Sequence, residues 1–372
     1  MDADSMILSF PDRIGMELCS LYRSFGYVQY KMSKFEEYDL YARNKDFLIS
    51  DAVLTFTDLS GRLMALKPDV TLSIVRNTRD DAGGAQKVYY TENVYRADKG
   101  GNSFREILQA GLECIGEIDD YQICETLILA AKSLERISER SSLVISHLDV
   151  LSAAVDRLGL PEVCRAKVLR LISDKNLHEL AALCAANGAD AAAEAALMRI
   201  LETAGDAEAA LTVLEGSGCA PAAAAQLRTA IGALRSAGFD RRVRIDLSVV
   251  SDMTYYNGIV FKGYVDGVPV SILSGGQYDR LMRKMGRRSD AVGFAVYLDA
   301  LERLYAQPQS FNVDLVLLYD DAADPLTLCS AVRELTAGGR SVSAQKRVPE
   351  KLRYRQLARL EGNEVVLLED NA

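Results

Sequence analysis

The chain has 372 residues and a net charge of -9, and 49% of its residues are hydrophobic whereas 26% are charged. This composition predicts about two to three folded domains and excludes both a single small module and a disordered chain. The acidic balance disfavours a primary role in nucleic-acid binding, because binding to a phosphate backbone needs an excess of Lys and Arg. No nucleic-acid partner is therefore expected.

Cysteine usage and the N-terminus predict where the protein works. Seven dispersed cysteines without a CxxC motif, together with two histidines, argue against disulfides and structural zinc and for a reducing compartment. No apolar run approaches the roughly 20 residues that span a bilayer, and MDADSMILSFPDR lacks the basic and apolar regions of a signal peptide. We expect a cytoplasmic protein with no membrane partner, no metal and no cofactor.

The first 140 residues predict helices and antiparallel strands. Apolar residues recur at helical spacing over residues 11–25, and VLTFT and RLMAL flank a turn as in a hairpin. KVYYTENVYR and FREILQAGLECIG predict two antiparallel strands joined by a mobile loop at residues 100–103. Asp119 and Asp120 precede an apolar-periodic run, which predicts a capped helix ending near Arg140.

Alanine dominates from about residue 151 to residue 239, and its helix preference predicts a helical insertion there. After the insertion, VRIDLSVV, YYNGIVFKGYV and VPVSILSGG predict strands that resume the antiparallel sheet. A helix is expected from Gln277 to Met285.

The pattern changes again from Val313. VDLVLLY and SVSAQK predict strands, EVVLLED predicts another, and helices are expected through Cys329 to Ala337 and from Pro349 to Leu360. Strands that alternate with helices predict a small parallel α/β domain. The expected fold class is therefore α+β, with a core at residues 1–310 that carries the insertion and a second domain at residues 311–372.

Four polar clusters interrupt the apolar segments, and each has a structural as well as a functional interpretation. In LKPDVT, the local pattern favours a helix N-cap at Asp69 or Thr71. Arg105, Gln109 and Glu113 share one face of a regular strand, which is either a solvated surface or the floor of a polar pocket. YYNG is either a pair of packed tyrosines with a bulge or part of a site, and the glycines of SGGQYD either admit a ligand or make a turn.

Common catalytic signatures are absent from the sequence. It has no phosphate-binding GxxxxGK[ST], no dinucleotide-binding GxGxxG after a strand, no HExxH and no GxSxG. His147 and His178 lie in apolar or helical segments, which is typical of structural residues. No catalytic residue is expected.

Taken in order, the four clusters resemble the signature of the class II histidyl-tRNA synthetases, over most of residues 7–305 outside the insertion. LKPDVTLSIVRN resembles LRPEGTAxxxR, and VYRADKGGNSFREILQAGLECIG resembles motif 2, FRxE followed by RxFxQxGxExxG. YYNGIVFKGY resembles DYYxGxVFE, whereas SGGQYDRL and AVGFAV resemble GGRYDxL and the start of motif 3, AVGFAxGxER. The resemblance implies an antiparallel sheet flanked by helices.

The resemblance also implies a pocket for histidine. Asp69, Thr71 and Gln109 would meet the α-amino group of the ligand, and Glu113 and Tyr256 would meet its imidazole nitrogens. Arg96 or Arg105 could replace the missing partner of the ligand carboxylate. The expected histidine-binding residues are Asp69, Thr71, Arg96, Gln109, Glu113, Tyr255, Tyr256 and Tyr278.

Departures from the synthetase pattern concern its cationic groups. Ala300 stands where motif 3 has the arginine near the γ-phosphate, and Tyr297 stands where it has glycine. Ser251 stands where the family has an arginine for histidine activation, and Gln277 replaces the arginine of GGRYD. Because the site for a polyanion loses several positive charges, no aminoacyl-adenylate formation is expected.

A histidine pocket without the activation machinery resembles the family of ATP phosphoribosyltransferase regulatory subunits. That resemblance implies a non-catalytic subunit that joins the short catalytic subunit in a hetero-oligomer, pairs with a second copy of itself, permits catalysis and mediates feedback inhibition by histidine. It also implies that residues 311–372 are a shortened anticodon-binding domain. A divergent histidyl-tRNA synthetase and another kind of histidine sensor are the alternatives.

Overall fold

The computed structural model describes residues 9–45, 48, 52–78, 80, 84–98, 103–250, 255–301 and 311–371. These residues belong to two compact units, one up to residue 301 and the other from residue 311. No helix in these ranges is long and apolar enough to cross a membrane.

The first unit contains an eight-stranded sheet with the order β1-β5-β6-β11-β10-β9-β7-β8 and a three-stranded sheet with the order β2-β4-β3. Along the larger sheet, the strands from β5 to β7 pair antiparallel, whereas β1 and β8 join the ends in parallel. The expected antiparallel sheet is therefore confirmed. The strands are β1 (Val28–Gln29), β2 (Phe35–Glu37), β3 (Thr55–Thr57), β4 (Leu63–Leu66), β5 (Ala85–Ala97), β6 (Phe104–Gly116), β7 (Ser141–His147), β8 (Val243–Ile245), β9 (Asn257–Val265), β10 (Leu273–Gln277) and β11 (Asp290–Tyr297).

Helices flank the larger sheet, in agreement with the predicted α+β class. The first and fourth of them pack against its strands. The predicted loop at residues 100–103 lies almost wholly outside the described residues. The helices of this unit are α1 (Phe10–Ser24), α2 (Asp39–Ala42), α3 (Thr71–Asn77), α4 (Asp120–Ile137), α5 (Leu148–Asp156), α6 (Glu162–Ser173), α7 (Leu177–Ala186), α8 (Ala191–Glu202), α9 (Ala207–Ser217), α10 (Pro221–Ser236) and α11 (Asp279–Lys284).

Helices α1 and α4 are joined through their buried faces. The Tyr22 hydroxyl of α1 lies 3.0 Å from the Ser133 hydroxyl of α4, and both side chains are buried. Helix α4 begins with a capping box, in which the Asp119 carboxylate accepts hydrogen bonds from the first turn and the Gln122 side chain accepts one from Asp119 N. The predicted capped helix is confirmed, although it ends at Ile137 rather than near Arg140.

The alanine-rich segment forms helices α6 to α10, with α5 leading into them, so the predicted helical insertion is helical as expected. His147 connects this segment to the sheet: its Nε2 lies 3.0 Å from the Gln226 side-chain oxygen, and Asp149 N donates to its Nδ1 at the start of α5. Burial lowers the pKa of His147. The residue is structural here, as the sequence indicates.

The second unit is a four-stranded sheet with one helix among its described residues, in the order β13-β12-β14-β15. Strand β12 pairs in parallel with β13 and β14, and β15 pairs antiparallel with β14. The predicted helix from Pro349 to Leu360 is wrong, because β14 occupies most of that segment. The elements are β12 (Val313–Leu318), α12 (Pro325–Ala337), β13 (Val342–Gln345), β14 (Tyr354–Glu361) and β15 (Glu364–Asp370).

Tertiary pairing explains why this segment is a strand. Strand β14 lies between β12 and β15, so its backbone groups find partners on both sides, and Leu357, Ala358 and Leu360 are buried. Gly362 follows directly with a φ of +62° and makes the turn into β15 with Asn363. Two residues of the type Gly-Asn between apolar runs are a hairpin signal, and the helix prediction did not take it into account.

Strand β15 is exposed along its whole length. It is the last strand in its sheet, so one edge has no strand partner among the residues that the structure covers. Four consecutive apolar residues in its centre are 36% to 54% exposed, and acidic residues lie at its ends. The apolar residues are Val365, Val366, Leu367 and Leu368.

Gly362 provides a test of this hairpin. A Cβ at this position would meet no atom within 4 Å, so the cost of Gly362→Ala is purely conformational. We expect about 1 to 2 kcal/mol of lost stability, because an L residue disfavours the left-handed region. Hydrogen exchange of the β14 and β15 amides in the full chain measures it.

The matched control is Gly338→Ala, in the same unit, where φ is -86° and a Cβ would also meet open space. The amides of this variant should be protected at least as well as those of the parent, because alanine adopts this backbone conformation without strain. Equal protection in Gly362→Ala and Gly338→Ala would contradict the assigned turn.

Candidate ligand-binding site

A cavity of about 280 Å³ lies on one face of the eight-stranded sheet, and strands β5, β6, β9, β10 and β11 contribute to its lining. All eight residues that the sequence predicts to bind histidine line this one cavity. They are Asp69, Thr71, Arg96, Gln109, Glu113, Tyr255, Tyr256 and Tyr278. Arg105 is exposed and lies outside the lining, so only Arg96 of the two arginines named for the ligand carboxylate reaches the cavity.

Glycines make room for the polar groups of the cavity. Gly293 is the cross-strand partner of Glu113, and a Cβ at this glycine would collide with the Glu113 carboxylate. Gly111 is the partner of Tyr90, and a Cβ there would collide with the Tyr90 hydroxyl. The buried carboxylate and phenol therefore depend on the missing side chains beside them.

Glu113 is the most deeply placed acid of the site, 2% exposed. The Thr71 hydroxyl donates to its Oε1 over 2.7 Å, and the Tyr278 hydroxyl donates to its Oε2 over 2.7 Å. Thr71 is the first residue of α3, and Tyr278 directly precedes α11. The N-terminal ends of two helices therefore each contribute one hydroxyl to the same carboxyl group. Burial raises the pKa of Glu113 to about 8, although these two hydrogen bonds act in the opposite direction.

Asp69 has both the structural and the site role that the sequence left open. Its Oδ1 accepts a hydrogen bond of 2.9 Å from Leu72 N in the first turn of α3, while the residue also lines the cavity. The Arg96 guanidinium lies 3.7 Å from Asp69 Oδ2 and donates through Nε to the Pro68 carbonyl oxygen over 2.8 Å. Burial raises the pKa of Asp69, and Arg96 counteracts that effect. Arg96 and Asp69 therefore compensate each other in charge.

Three tyrosines form the aromatic wall. The ring centroids of Tyr255 and Tyr256 are 4.5 Å apart, and those of Tyr255 and Tyr278 are 5.9 Å apart. Burial raises the pKa of all three phenols well above the usual value, so each remains a neutral hydrogen-bonding group. The wall is suited to a flat ring that needs hydrogen bonds at its edge.

Gln109 supplies a donor without a partner. Its side chain is 2% exposed, and its Nε2 has no hydrogen-bond partner among the described residues. A buried amide without a partner costs free energy, which a ligand acceptor in the cavity would recover. Gln109 Nε2 can therefore donate a hydrogen bond to an acceptor in the cavity.

The YYNG and SGGQYD clusters each contribute residues to the cavity lining and to the pairing of strands β9 and β10. Gly258 has a φ of +58° where the register between β9 and β10 shifts, and the Gln277 side chain accepts a hydrogen bond of 2.9 Å from Ile259 N across this bulge. Gly275 and Gly276 lie within β10 rather than in a turn, which corrects the turn interpretation. A Cβ at either glycine would meet neighbouring strands at less than 3.0 Å.

The structure describes the surroundings of three of the four residues that depart from the synthetase pattern. Ala300 packs against the main hydrophobic core, and Tyr297 lines the cavity, where Arg96 lies close enough to counteract the effect of burial on its pKa. The Gln277 amide is engaged in the bulge of β9 and β10. Ser251 lies outside the described residues.

Tyr90 and Lys262 also line the cavity and were missed from the sequence. Tyr90 lies in a strand rich in tyrosine, and its pairing with Gly111 is visible only once the strand register is known. Lys262 could have been noticed in the sequence, because it directly follows YYNGIVF, at the position where the pattern DYYxGxVFE has glutamate. Among the described residues, no group of three or more His, Cys, Asp and Glu side chains is arranged to hold a metal ion.

Known proteins share this architecture. Residues 11–301 match the model of a family described as histidyl-tRNA synthetase. The chain is 31% identical to the ATP phosphoribosyltransferase regulatory subunit of Anaeromyxobacter dehalogenans, over 78% of this chain and 86% of the relative. It is 29% identical to that of Clostridium kluyveri, over 81% of this chain and 80% of the relative.

Solved structures agree. An ATP phosphoribosyltransferase regulatory subunit/histidyl-tRNA synthetase from Bacillus halodurans C is similar with a TM-score of 0.77 and 25% identity, over 94% of this chain and 93% of that one. A chain of the ATP phosphoribosyl transferase (HisG:HisZ) complex from Thermotoga maritima shares the fold, with a TM-score of 0.63 and 21% identity over 78% of this chain and 97% of that one. The chain therefore belongs to the family of ATP phosphoribosyltransferase regulatory subunits, which has the histidyl-tRNA synthetase fold.

Proposed function

We propose that this chain is the regulatory subunit of an ATP phosphoribosyltransferase in histidine biosynthesis, that it activates the short catalytic subunit, and that histidine inhibits the complex by binding to this chain. One observation carries the proposal. The cavity gathers around Glu113 the polar groups that we propose bind an amino acid, whereas Ala300, at the expected position of a phosphate-binding arginine, packs against the core.

Histidine matches the groups of the cavity. Glu113 and Tyr256 would meet the two imidazole nitrogens, because a carboxyl group and a phenol can each donate or accept as the ring requires. Asp69, Thr71 and Gln109 would accept hydrogen bonds from the α-amino group through their side-chain oxygens, which leaves the unpartnered Gln109 Nε2 to donate to an acceptor of the ligand. The remaining members of the proposed site are Arg96, which holds Asp69, and Tyr255 and Tyr278, which pack beside the ring.

The replaced cationic groups also lead us to propose that this chain does not form an aminoacyl-adenylate. A synthetase places cations where pyrophosphate leaves. Here an alanine methyl group lies at the motif 3 position, and the amide at position 277 is used to bridge two strands. The chain therefore binds an amino acid without the groups that would activate it.

Ligand binding without chemistry is sufficient for regulation. If the assembled complex has two states and histidine binds one of them more tightly, histidine shifts the population toward that state. Couplings of this kind typically amount to about 1 to 3 kcal/mol. No catalytic group in this chain is required.

The proposed assembly includes a catalytic partner and a second copy of this chain in the cytoplasm. The Thermotoga maritima structure is that of an ATP phosphoribosyl transferase complex with two components, HisG and HisZ. The apolar face of α1 is covered by this chain's own α4 and sheet, so self-pairing rests on the family resemblance rather than on that face. Residues 1–310 would form the synthetase-like core, and residues 311–372 would form a shortened anticodon-binding domain that is either a remnant or an assembly surface.

The feedback site is tested by Glu113→Ala in a complex with the short catalytic subunit. Because a buried charged hydrogen-bond partner contributes about 1.5 to 3 kcal/mol, the histidine concentration for half-inhibition should rise at least about tenfold. The measurement is the rate of phosphoribosyl transfer against histidine concentration, with each complex compared to its own rate without histidine.

The matched control is Glu106→Ala. Glu106 lies on the same strand, β6, but is exposed and outside the cavity. Its complex should respond to histidine like the parent complex. Unchanged inhibition of the Glu113→Ala complex would place the effector site elsewhere.

A divergent histidyl-tRNA synthetase is the alternative function, and isotope exchange between ATP and pyrophosphate distinguishes it. We expect the purified chain to show no histidine-dependent exchange, since the phosphate-binding cations are replaced. Exchange that disappears in Glu113→Ala would establish the synthetase instead. A histidine sensor with another partner would bind histidine but leave the short catalytic subunit inactive.

Proton linkage predicts how histidine affinity depends on pH. The raised pKa of Glu113, about 8, and the imidazole pKa of about 6.5 mean that one proton is held between the two groups from about pH 6.5 to 8. Above pH 8 binding must take up a proton, and below pH 6.5 it must release one. Affinity should therefore fall on both sides, by up to about tenfold per pH unit.

Calorimetric titration at several pH values measures this profile, with Glu113→Gln as the control. This variant cannot ionise at position 113, so its affinity should lose the decline above pH 8. A parent profile that is flat from pH 5 to pH 9 would contradict the pairing of Glu113 with imidazole.

A further inference from the structure

Lys262 brings a second positive charge into the cavity. It lies on β9, is half-buried and lines the cavity together with Ser274, its cross-strand partner on β10. Across the part of the chain that the structure covers, the Lys262 ammonium makes no ion pair and no hydrogen bond. A half-buried ammonium without a counter-ion is less favourable than one that binds an anion.

The sheet places Lys262 and Glu113 at opposite ends of one floor. The row that starts at Lys262 continues through Ser274 and Ala295 to Gly111, two residues before Glu113 on β6. With strands about 4.8 Å apart and a rise of about 3.4 Å per residue, their Cα atoms are roughly 16 Å apart. A ligand of amino-acid size fits between two Cα atoms that are this far apart.

Three small residues of these strands line the cavity between Glu113 and Lys262. Ser274 and Ala295 lie in the row of Lys262, and Gly293 lies in the row that contains Glu113. A ligand that lies from Glu113 toward Lys262 therefore meets small side chains at these three positions of the floor. The shape and the two ends together describe an elongated ligand.

The charge balance identifies the class of ligand. Asp69 and Arg96 lie 3.7 Å apart and compensate each other, and Arg96 is further engaged by the Pro68 carbonyl oxygen. Glu113 and Lys262 are the acid and the base that remain. They are complementary to a dipolar molecule whose proton-sharing ring faces Glu113 and whose anionic group faces Lys262.

We propose that Lys262 binds the carboxylate of the amino acid in this cavity and selects ligands that carry a free carboxylate. This inference rests on the proposed histidine site and assigns its carboxylate end to a residue on β9. Arg96 then serves Asp69, and Lys262 provides the charge-assisted hydrogen bond to the ligand.

Titration calorimetry of the full chain with L-histidine and L-histidinamide tests the assignment, because the amide keeps the ring and the amino group but removes the negative charge. The parent should bind histidine at least about tenfold more tightly than histidinamide. Lys262→Met should lower histidine affinity by about that factor and leave histidinamide affinity unchanged, so that the preference disappears.

Two further variants keep the test decisive. Lys262→Arg should retain a preference for histidine, since it keeps the positive charge, and Lys167→Met, which changes an exposed lysine of α6, should bind like the parent. If the parent binds histidine but Lys262→Met keeps the preference, or weakens both ligands equally, Lys262 is not the carboxylate group and the histidine site stands. If the parent binds neither ligand, the proposed function fails and this inference fails with it.

Discussion

The site depends on the burial of one carboxyl group. Glu113 would be costly to bury alone, but the Thr71 and Tyr278 hydroxyls satisfy both of its oxygens, and Gly293 leaves the space that the group occupies. The helices α3 and α11 begin at these two hydroxyls, so the position of each helix start is tied to this acid. The glycine beside Glu113, the tyrosines of the aromatic wall and the first turns of α3 and α11 are therefore all arranged around this one carboxyl group.

The departures of this chain from the synthetase pattern concern the charges of the site. Binding an amino acid and binding a nucleotide polyanion place different demands on charge: the first needs a few paired groups, and the second needs several uncompensated cations. In this chain Asp69 and Glu113 line the cavity, while Ala300, at the position that resembles that of the motif 3 arginine, packs against the core. The groups proposed to bind an amino acid can therefore be present without the cations that a nucleotide requires.

Motifs with fixed spacing were predictable, and long-range register was not. The eight cavity residues were predicted from the resemblance of four segments to family motifs, and the strand parity of Gln109 and Glu113 holds because β6 is regular over thirteen residues. Tyr90 could not be found in this way, since its place depends on pairing with Gly111 on another strand. The segment from Pro349 to Leu360 was predicted to be a helix, but most of it forms β14. Pairing with β12 and β15 on its two sides stabilises the strand, and such long-range pairing is not visible in the local sequence.

The exposed strand β15 limits the contacts that the second unit can make with copies of itself. An antiparallel contact of two such edges about the central Leu367 would bring Glu364 of each copy against Asp370 of the other, at both ends. Like charges directly opposite each other destabilise strand pairing, and charged ends are one way in which proteins protect an open edge. The chain can thus keep four apolar residues in solvent without sheet growth from one molecule to the next.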